Sequence, residues 1–153
     1  MPLCSIPYHF SQRFPFSAAA VLRWATDYHP EDIELFGMRG RRRIHWLCDD
    51  TVLLTDTFAR DDGRHLSKQK LVRIYPDRLR WTSTHLTGPN RYSQFLYELV
   101  AEGKHVCRLE FTGRHIEERE PPSREALLAR ARELKRGDAL VWRNLARAMA
   151  RQA

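Results

Sequence analysis

The middle of the chain, residues 41–115, alternates polar and apolar side chains in six stretches. A period of two is that of a β-strand with one buried face. The breaks between the stretches are rich in Gly, Asp, Asn and Pro, which favour turns. Connections this short join neighbouring strands as antiparallel hairpins. The sequence therefore predicts an antiparallel meander with strands at 43–47, 51–59, 66–75, 79–85, 91–100 and 105–115.

One strand and two helices are predicted before this meander. Residues 5–14 alternate in the same way, and we expect an opening strand there. Ser17 is a favourable N-cap for a first helix, and His29-Pro30 ends it because a residue before proline avoids the helical conformation. A second, short helical turn is expected at 31–36, so that the whole helical region spans 18–36.

The last segment of the chain predicts one long amphipathic helix at 124–151, with Ser123 as its N-cap. Apolar residues recur on one face at helical spacing, and arginines occupy the opposite face. At about 1.5 Å per residue, such a helix is on the order of 40 Å long and can cross a whole sheet. The apolar stripe consists of Leu127, Ala131, Leu134, Val141, Leu145 and Met149.

The order and lengths of these elements resemble a known architecture. The residues that carry the likeness are Phe14-Pro15-Phe16, Ser17–Trp24 as the first helix, the meander, and the closing helix from Ser123. Together they are similar to the helix-grip fold of the START-like (SRPBCC) superfamily, which includes Bet v 1-type pollen allergens, START lipid-transfer domains, polyketide cyclases and coenzyme Q-binding proteins. The resemblance implies an α+β fold: a curved antiparallel sheet wrapped around the C-terminal helix, with a hydrophobic cavity between them.

The composition fits a single domain over residues 1–153. Hydrophobic residues make up 42% and charged residues 29%, which is typical of a soluble globular protein. The three cysteines, Cys4, Cys48 and Cys107, form no C-x-x-C pair. This spacing argues against a disulfide framework or a thiolate zinc site, and it favours a reducing, cytoplasmic location.

The residues of inward parity combine large apolar side chains with a few polar ones. Such a mixture is typical of a ligand pocket, but it also fits a solid core, and the residues alone leave both alternatives open. The resemblance favours the cavity, with residues 29–43 and the turn at 88–90 expected at its rim. The candidate ligand-binding residues are Trp46, Leu54, Asp56, Phe58, Trp81, His85, Phe95, Tyr97, Leu109, Phe111, Leu134, Asp138 and Val141.

Three of these candidates could also carry acid–base chemistry. Asp138 lies on the apolar stripe of the long helix; it is either a cavity-facing acid partnered by Arg73 or His85, or an N-cap after a helix break at Gly137. The N-cap interpretation is favoured, since Asp is a common cap. Asp56 lies mid-strand, where Asp is disfavoured, so it is either paired or functional. His85 is either a cavity histidine or, as its place at a strand end favours, a partly exposed one.

The sequence contains no established motif for a hydrolase, a nucleotide or a metal site. No H-E-x-x-H, G-x-S-x-G, P-loop or G-x-G-x-x-G pattern occurs. We therefore predict no metal and no cofactor, and whether the protein is an enzyme stays open. The first hypothesis is that it binds a hydrophobic small molecule (a lipid, a quinone or a polyketide-like compound), with cyclase or dehydratase chemistry as an extension.

The alternative hypothesis is an interaction protein that uses its basic surface. The net charge is +7, and the arginines concentrate in Arg39, Arg41, Arg42 and Arg43 and on the polar face of the last helix. Such surfaces can bind RNA or a ribosome, an acidic lipid or an acidic protein. A simply solvated basic surface is the favoured interpretation of the charge. Aromatic residues for base stacking are not interleaved with the basic face, which counts against a single-strand nucleic-acid binder.

Overall fold

The structure is a computed structural model that describes residues 1–153. Its seven strands form one antiparallel sheet in the order β1-β7-β6-β5-β4-β3-β2. Consecutive strands are therefore neighbours, except that β1 pairs with β7 along its whole length. The strands are β1 (Leu3–Phe14), β2 (Gly40–Cys48), β3 (Thr51–Ala59), β4 (His65–Tyr75), β5 (Arg80–His85), β6 (Gln94–Gly103) and β7 (Val106–Glu118).

Two short helices connect the opposite edges of this sheet. The chain leaves edge strand β1, forms α1 (Ala18–Thr26) and α2 (Asp32–Leu35), and enters the other edge strand, β2. Ser17 caps α1, because its Oγ accepts a hydrogen bond from the backbone N–H of Ala20 at 3.2 Å. The α1–α2 segment, residues 18–36, closes one end of the curved sheet because it runs from one edge strand to the other.

The C-terminal helix α3 (Arg124–Gln152) is continuous. Ser123 caps it as expected, with its Oγ accepting from the N–H of Ala126. The interpretation that Gly137 breaks the helix and that Asp138 caps its second half is wrong. Gly137 makes no contact that would demand glycine and keeps helical conformation, so Asp138 lies in the helix interior. None of the helices combines the length and hydropathy needed to span a bilayer.

The core lies between the concave face of the sheet and the helices. On β1 the alternation is complete, with Cys4, Ile6, Tyr8, Phe10 and Phe14 all buried. The C-terminal half of α3 buries Leu145, Ala146, Ala148 and Met149, whereas no residue of its N-terminal half is fully buried. Among the strands, α3 packs chiefly against β1. Space remains between the C-terminal half of α3, the α1–α2 segment and strands β2 to β6.

Replacing Gly137 by Ala tests the continuity of α3. A mid-helix glycine costs about 0.5–1 kcal/mol relative to alanine, and a Cβ at this position would meet no atom within 4 Å. We expect Gly137→Ala to raise the free energy of unfolding by about that amount, measured by urea denaturation. A loss of stability would show that the helix bends or breaks at Gly137.

Candidate functional site

A cavity of about 210 Å³ lies between the sheet, the α1–α2 segment and the C-terminal half of α3. Eleven of its 18 lining residues are hydrophobic. Aromatic side chains from the α1–α2 segment, β5, β6 and α3 contribute to the wall. The aromatic lining residues are Trp24, Tyr28, Phe36, Trp81, Tyr97 and Trp142. The cavity is therefore apolar and aromatic over most of its surface.

The flattest part of the wall is a stacked aromatic pair on neighbouring strands. Trp81 of β5 and Tyr97 of β6 are cross-strand partners, and their rings are parallel within 3° at a centroid distance of 4.8 Å. Trp142 of α3 closes the same corner, with centroids 5.5 Å from Tyr97 and 6.1 Å from Trp81. The stack covers one face of each ring, and the three aromatic side chains together form an apolar corner that can pack against a ring of a ligand.

The opposite part of the wall carries charge. Arg42 of β2 donates two hydrogen bonds to Asp56 of β3, from Nε at 2.7 Å and from Nη2 at 2.9 Å. The third guanidinium nitrogen lies 3.3 Å from the carboxylate of Asp32. Lys70 of β4 places its Nζ 2.9 Å from Oδ2 of Asp56, the oxygen that also accepts from Nη2 of Arg42. These four residues form a continuous chain of alternating charges, Asp32–Arg42–Asp56–Lys70, which we call the ion-pair chain.

Burial and neighbouring charges shift the pKa of both Asp56 and Lys70. Burial raises the pKa of Asp56, but the hydrogen bond from Arg42 and the charge of Lys70 outweigh it and hold the pKa below its usual value. Burial lowers the pKa of Lys70, and Asp56 offsets this only in part. Asp56 is 0% exposed, so its charge depends entirely on these two partners.

Arg42 also holds the α1–α2 segment over the cavity. Its guanidinium carbon lies 5.4 Å from the ring centroids of both Tyr28 and Phe36, within the range of cation–π contacts. Its backbone N–H donates to the carbonyl of Pro30 at 3.1 Å. Together with the pair to Asp32, these contacts make Arg42 one of the residues that attach the segment to the sheet, beside the packing of α1 against β6 and β7.

A second polar group lies outside the cavity, at the middle of α3. The hydroxyl of Tyr8 on β1 donates a hydrogen bond to the carboxylate of Asp138. Burial raises the pKa of Asp138, while Tyr8 and the charges of Lys68 and Lys70 act in the opposite direction. Asp138 thus has Tyr8 as its partner, and neither Arg73 nor His85 pairs with it as one interpretation expected.

His85 is buried rather than partly exposed, which corrects the favoured interpretation. It is 8% exposed, and its ring lies 5.0 Å from that of Phe95. Its Nδ1 is buried without a hydrogen-bond partner. Burial, together with the charge of Lys70, lowers the pKa of His85 to about 4, so the ring is neutral at neutral pH.

The structure brings only part of the predicted ligand-binding set to the cavity. Leu54, Trp81 and Tyr97 line it. Asp56 lies directly behind the wall of the cavity. It orients Arg42 and Lys70, and these two residues line the cavity. Residues 29–43 contribute His29, Asp32, Leu35, Phe36 and Arg42, whereas the turn at 88–90 contributes none.

The other predicted residues lie elsewhere. Phe95 and Phe111 form a second aromatic cluster with Tyr8 and Phe10, and Leu134 packs against it. Leu109 is fully buried in the main core. Phe58 lies under the Lys68 ammonium, 5.9 Å from ring centroid to Nζ. Trp46 is 45% exposed and contacts Tyr28. Val141 is half-buried, and it lies outside the lining like His85 and Asp138.

Sequence reasoning missed the residues that give the cavity its charge. Arg42 was assigned to a basic surface cluster, but it is 4% exposed and bound to Asp56. Its parity with Ile44 on β2 is the signal that indicates an inward side chain, and Lys70 shares the inward parity of Val72 in the same way. The arginines on the polar face of α3 and Arg39, Arg41 and Arg43 are exposed, so the interaction hypothesis now rests on them alone.

Comparison with known proteins gives the fold but no close relative. No model of a protein family matches the chain, and no curated protein is significantly similar in sequence. Solved structures do match. The Zhui aromatase/cyclase from Streptomyces sp. R1128 has a TM-score of 0.75 at 11% identity, over 97% of this chain and 95% of that chain.

Two further solved structures show the same architecture. Norcoclaurine synthase from Thalictrum flavum, in complex with dopamine and hydroxybenzaldehyde, matches with a TM-score of 0.72 at 11% identity, over 99% of this chain and 90% of that one. A START superfamily protein from Mycobacterium smegmatis matches with 0.66 at 12% identity, over 94% of each chain. The protein therefore has the START-like helix-grip fold, and the expected α+β class is confirmed.

The buried ion pair between Arg42 and Asp56 predicts that substitutions of two adjacent arginines change the free energy of unfolding by different amounts. Arg42→Met leaves the carboxylate of Asp56 with Lys70 alone, and breaking a buried pair costs about 3–5 kcal/mol. Arg41→Met on the exposed face of the same strand is the matched control, with an expected effect within about 0.5 kcal/mol. Urea denaturation of both variants measures the difference. Equal effects would contradict the assignment of Arg42 as an internal residue.

His85 predicts a loss of stability in mild acid. Its pKa in the folded state, about 4, lies below its ordinary value of 6.5, so between these values the unfolded chain binds the proton more readily. This contribution to stability is therefore lost as the pH falls from 6.5 towards 4. Between pH 7 and pH 5, the free energy of unfolding of His85→Gln should fall by about 2 kcal/mol less than that of the parent protein, measured by urea denaturation. Replacement of the exposed His45 by Gln should leave the parent pH dependence, and a His85→Gln curve parallel to the parent would refute the shift.

Proposed function

We propose that the protein binds an apolar, planar small molecule in the cavity between the sheet, the α1–α2 segment and α3. The observation that carries this proposal is the aromatic wall formed by Trp81, Tyr97 and Trp142 around an otherwise unfilled space. Removal of apolar ligand surface from water contributes roughly 25 cal/mol per Å². Burial of the ligand against this wall is therefore the driving force for binding.

The volume of the cavity limits the size of the ligand. An engineered apolar cavity of about 150 Å³ in another protein holds benzene. A cavity of about 210 Å³ accordingly suits a one-ring or two-ring compound, or one end of a larger molecule. The fold neighbours are consistent with this class, since one is an aromatase/cyclase and another was solved with dopamine and hydroxybenzaldehyde. A quinone or a polyketide-like aromatic fits the space better than a whole long-chain lipid.

Polar groups at two points of the wall would orient such a ligand. The phenol of Tyr97 is a hydrogen-bond donor whose pKa is raised by burial, and the ammonium of Lys70, which is ion-paired with Asp56, is a second donor. These are also the groups that chemistry of the cyclase or dehydratase type would use. Because burial raises the pKa of Tyr97, its phenol suits hydrogen bonding to a developing oxyanion rather than proton transfer, and the ammonium can stabilise the same charge.

A filled-cavity variant tests the proposal directly. Ser83 of β5 lines the cavity, whereas its neighbour Thr82 points to the opposite face of the sheet. We expect 2-naphthalenemethanol to quench tryptophan fluorescence of the parent protein, because Trp24, Trp81 and Trp142 line the site. Ser83→Phe should weaken binding about tenfold or more by filling the space, and Thr82→Phe should leave it unchanged.

Native mass spectrometry of the purified protein supplies the complementary measurement. A stoichiometric apolar compound that is released by solvent extraction and absent from Ser83→Phe would identify the ligand class. Circular dichroism of both phenylalanine variants controls for folding. If folded Ser83→Phe and Thr82→Phe bind the naphthalene probe equally well, the cavity is not the binding site and the proposal is wrong.

A further inference from the structure

The ion-pair chain ends inside the cavity on a cation. From the surface inward, the charges alternate: Asp32 of α2, Arg42 of β2, Asp56 of β3 and Lys70 of β4. Arg42 and Asp56 each lie between two opposite charges, whereas Lys70 has an opposite charge only on the side of Asp56. The other side of Lys70 faces the cavity. The next group in the alternation would be an anion at that point.

The hydrogen-bonding capacity of Lys70 supports the same conclusion. An ammonium group has three N–H donors, and Asp56 is the single carboxylate that pairs with it. Asp56 itself already accepts two hydrogen bonds from Arg42, so Lys70 does not carry the neutralisation of that carboxylate alone. Lys70 therefore keeps donor capacity and charge for a group in the cavity.

The other titratable groups around Lys70 carry both signs, and apart from Asp56 none of them is ion-paired with it. Lys68, on the same strand and face, adds a second positive charge, and the charge of Lys70 lowers the pKa of Lys68 less than burial does. His85, the cross-strand partner of Lys70, is neutral at neutral pH. Asp138 is the remaining carboxylate in reach, and its hydrogen bond is to Tyr8 on the opposite edge of the sheet.

From this geometry we propose that the cavity selects an aromatic carboxylic acid, with its ring against the Trp81–Tyr97 pair and its carboxylate on Lys70. The inference rests on the proposed function and names the class of ligand for that same cavity. It requires Lys70 to distinguish an ionised acid from a neutral compound of the same shape. A hydrogen bond to a charged group in a buried site gives about a tenfold to a hundredfold preference.

Two naphthalene derivatives provide the test, because they differ in one group. At pH 7.5, 2-naphthoate is ionised and 2-naphthalenemethanol is neutral, and tryptophan fluorescence reports both. The parent protein should bind the naphthoate about tenfold to a hundredfold more tightly. Lys70→Met should lose this preference and bind the two compounds with about equal affinity. Lys68→Met, which removes an equal charge outside the cavity lining, should keep the preference.

The outcomes separate this inference from the proposed function. Binding of both compounds with equal affinity by the parent protein would refute acid recognition and leave the apolar cavity standing. Binding of neither would refute the proposed function and the inference with it. If Lys70→Met does not fold, Lys70→Gln replaces it, since the amide can still donate to Asp56 without charge. A loss of preference in Lys68→Met equal to that in the Lys70 variant would show a general basic field and overturn the assignment to Lys70.

Discussion

The hydrogen-bonded pair between Arg42 and Asp56 is the interaction on which the rest of the site depends. The two residues are direct partners in the β2–β3 hairpin, and both side chains point to the concave face. Asp56 is charged there only because Arg42 and Lys70 satisfy it. Arg42 in turn positions Asp32 and two aromatic rings of the α1–α2 segment. One buried carboxylate thus connects the edge of the sheet, the cover of the cavity and the cation on its wall.

The same charges explain why this region is a cavity rather than a solid core. A buried ion pair contributes little or nothing compared with well-packed apolar residues of equal volume. An apolar set at these positions would therefore give a chain of at least equal stability, with the helices packed down onto the sheet. Because α3 packs chiefly on β1, the part of the wall that β3 and β4 contribute, Leu54, Lys70 and Val72, faces the cavity. The ion-pair chain satisfies the polar groups of this open end without closing it.

The sequence predicts the elements of this fold well because their signals are local. Alternation, turn residues and the two serine caps are each readable within a few residues, and the order of elements resembled the helix-grip architecture. The site is different, because it depends on which side chains meet across strands. Arg42 lies seven residues before Asp49 and Asp56 lies six after Asp50, because a register shift between Trp46 and Cys48 offsets the two strands by one residue. The turn alone would have paired Arg42 with Thr57, and the neighbouring exposed arginines suggested a surface cluster. The partner of Asp138 could not be found locally, since Tyr8 lies 130 residues away on a strand that pairs with β7.

The ion pairs also differ in strength along the chain, and this difference determines where the structure opens most easily. The bond between Arg42 and Asp56 is bidentate, with neither side chain more than 3% exposed, so separating these two groups would leave an unpaired charge in the interior. The bond between Arg42 and Asp32 is a single contact at 3.3 Å, and the side chain of Asp32 is 16% exposed. Water can replace Arg42 at Asp32 but not at Asp56. Within the ion-pair chain, the outer pair between Arg42 and Asp32 is therefore the one that opens most easily, and its loss leaves Asp56 and Lys70 in place. The α1–α2 segment stays attached through its buried residues Val21, Leu22 and Ile33 and through the hydrogen bond from the Arg42 N–H to Pro30.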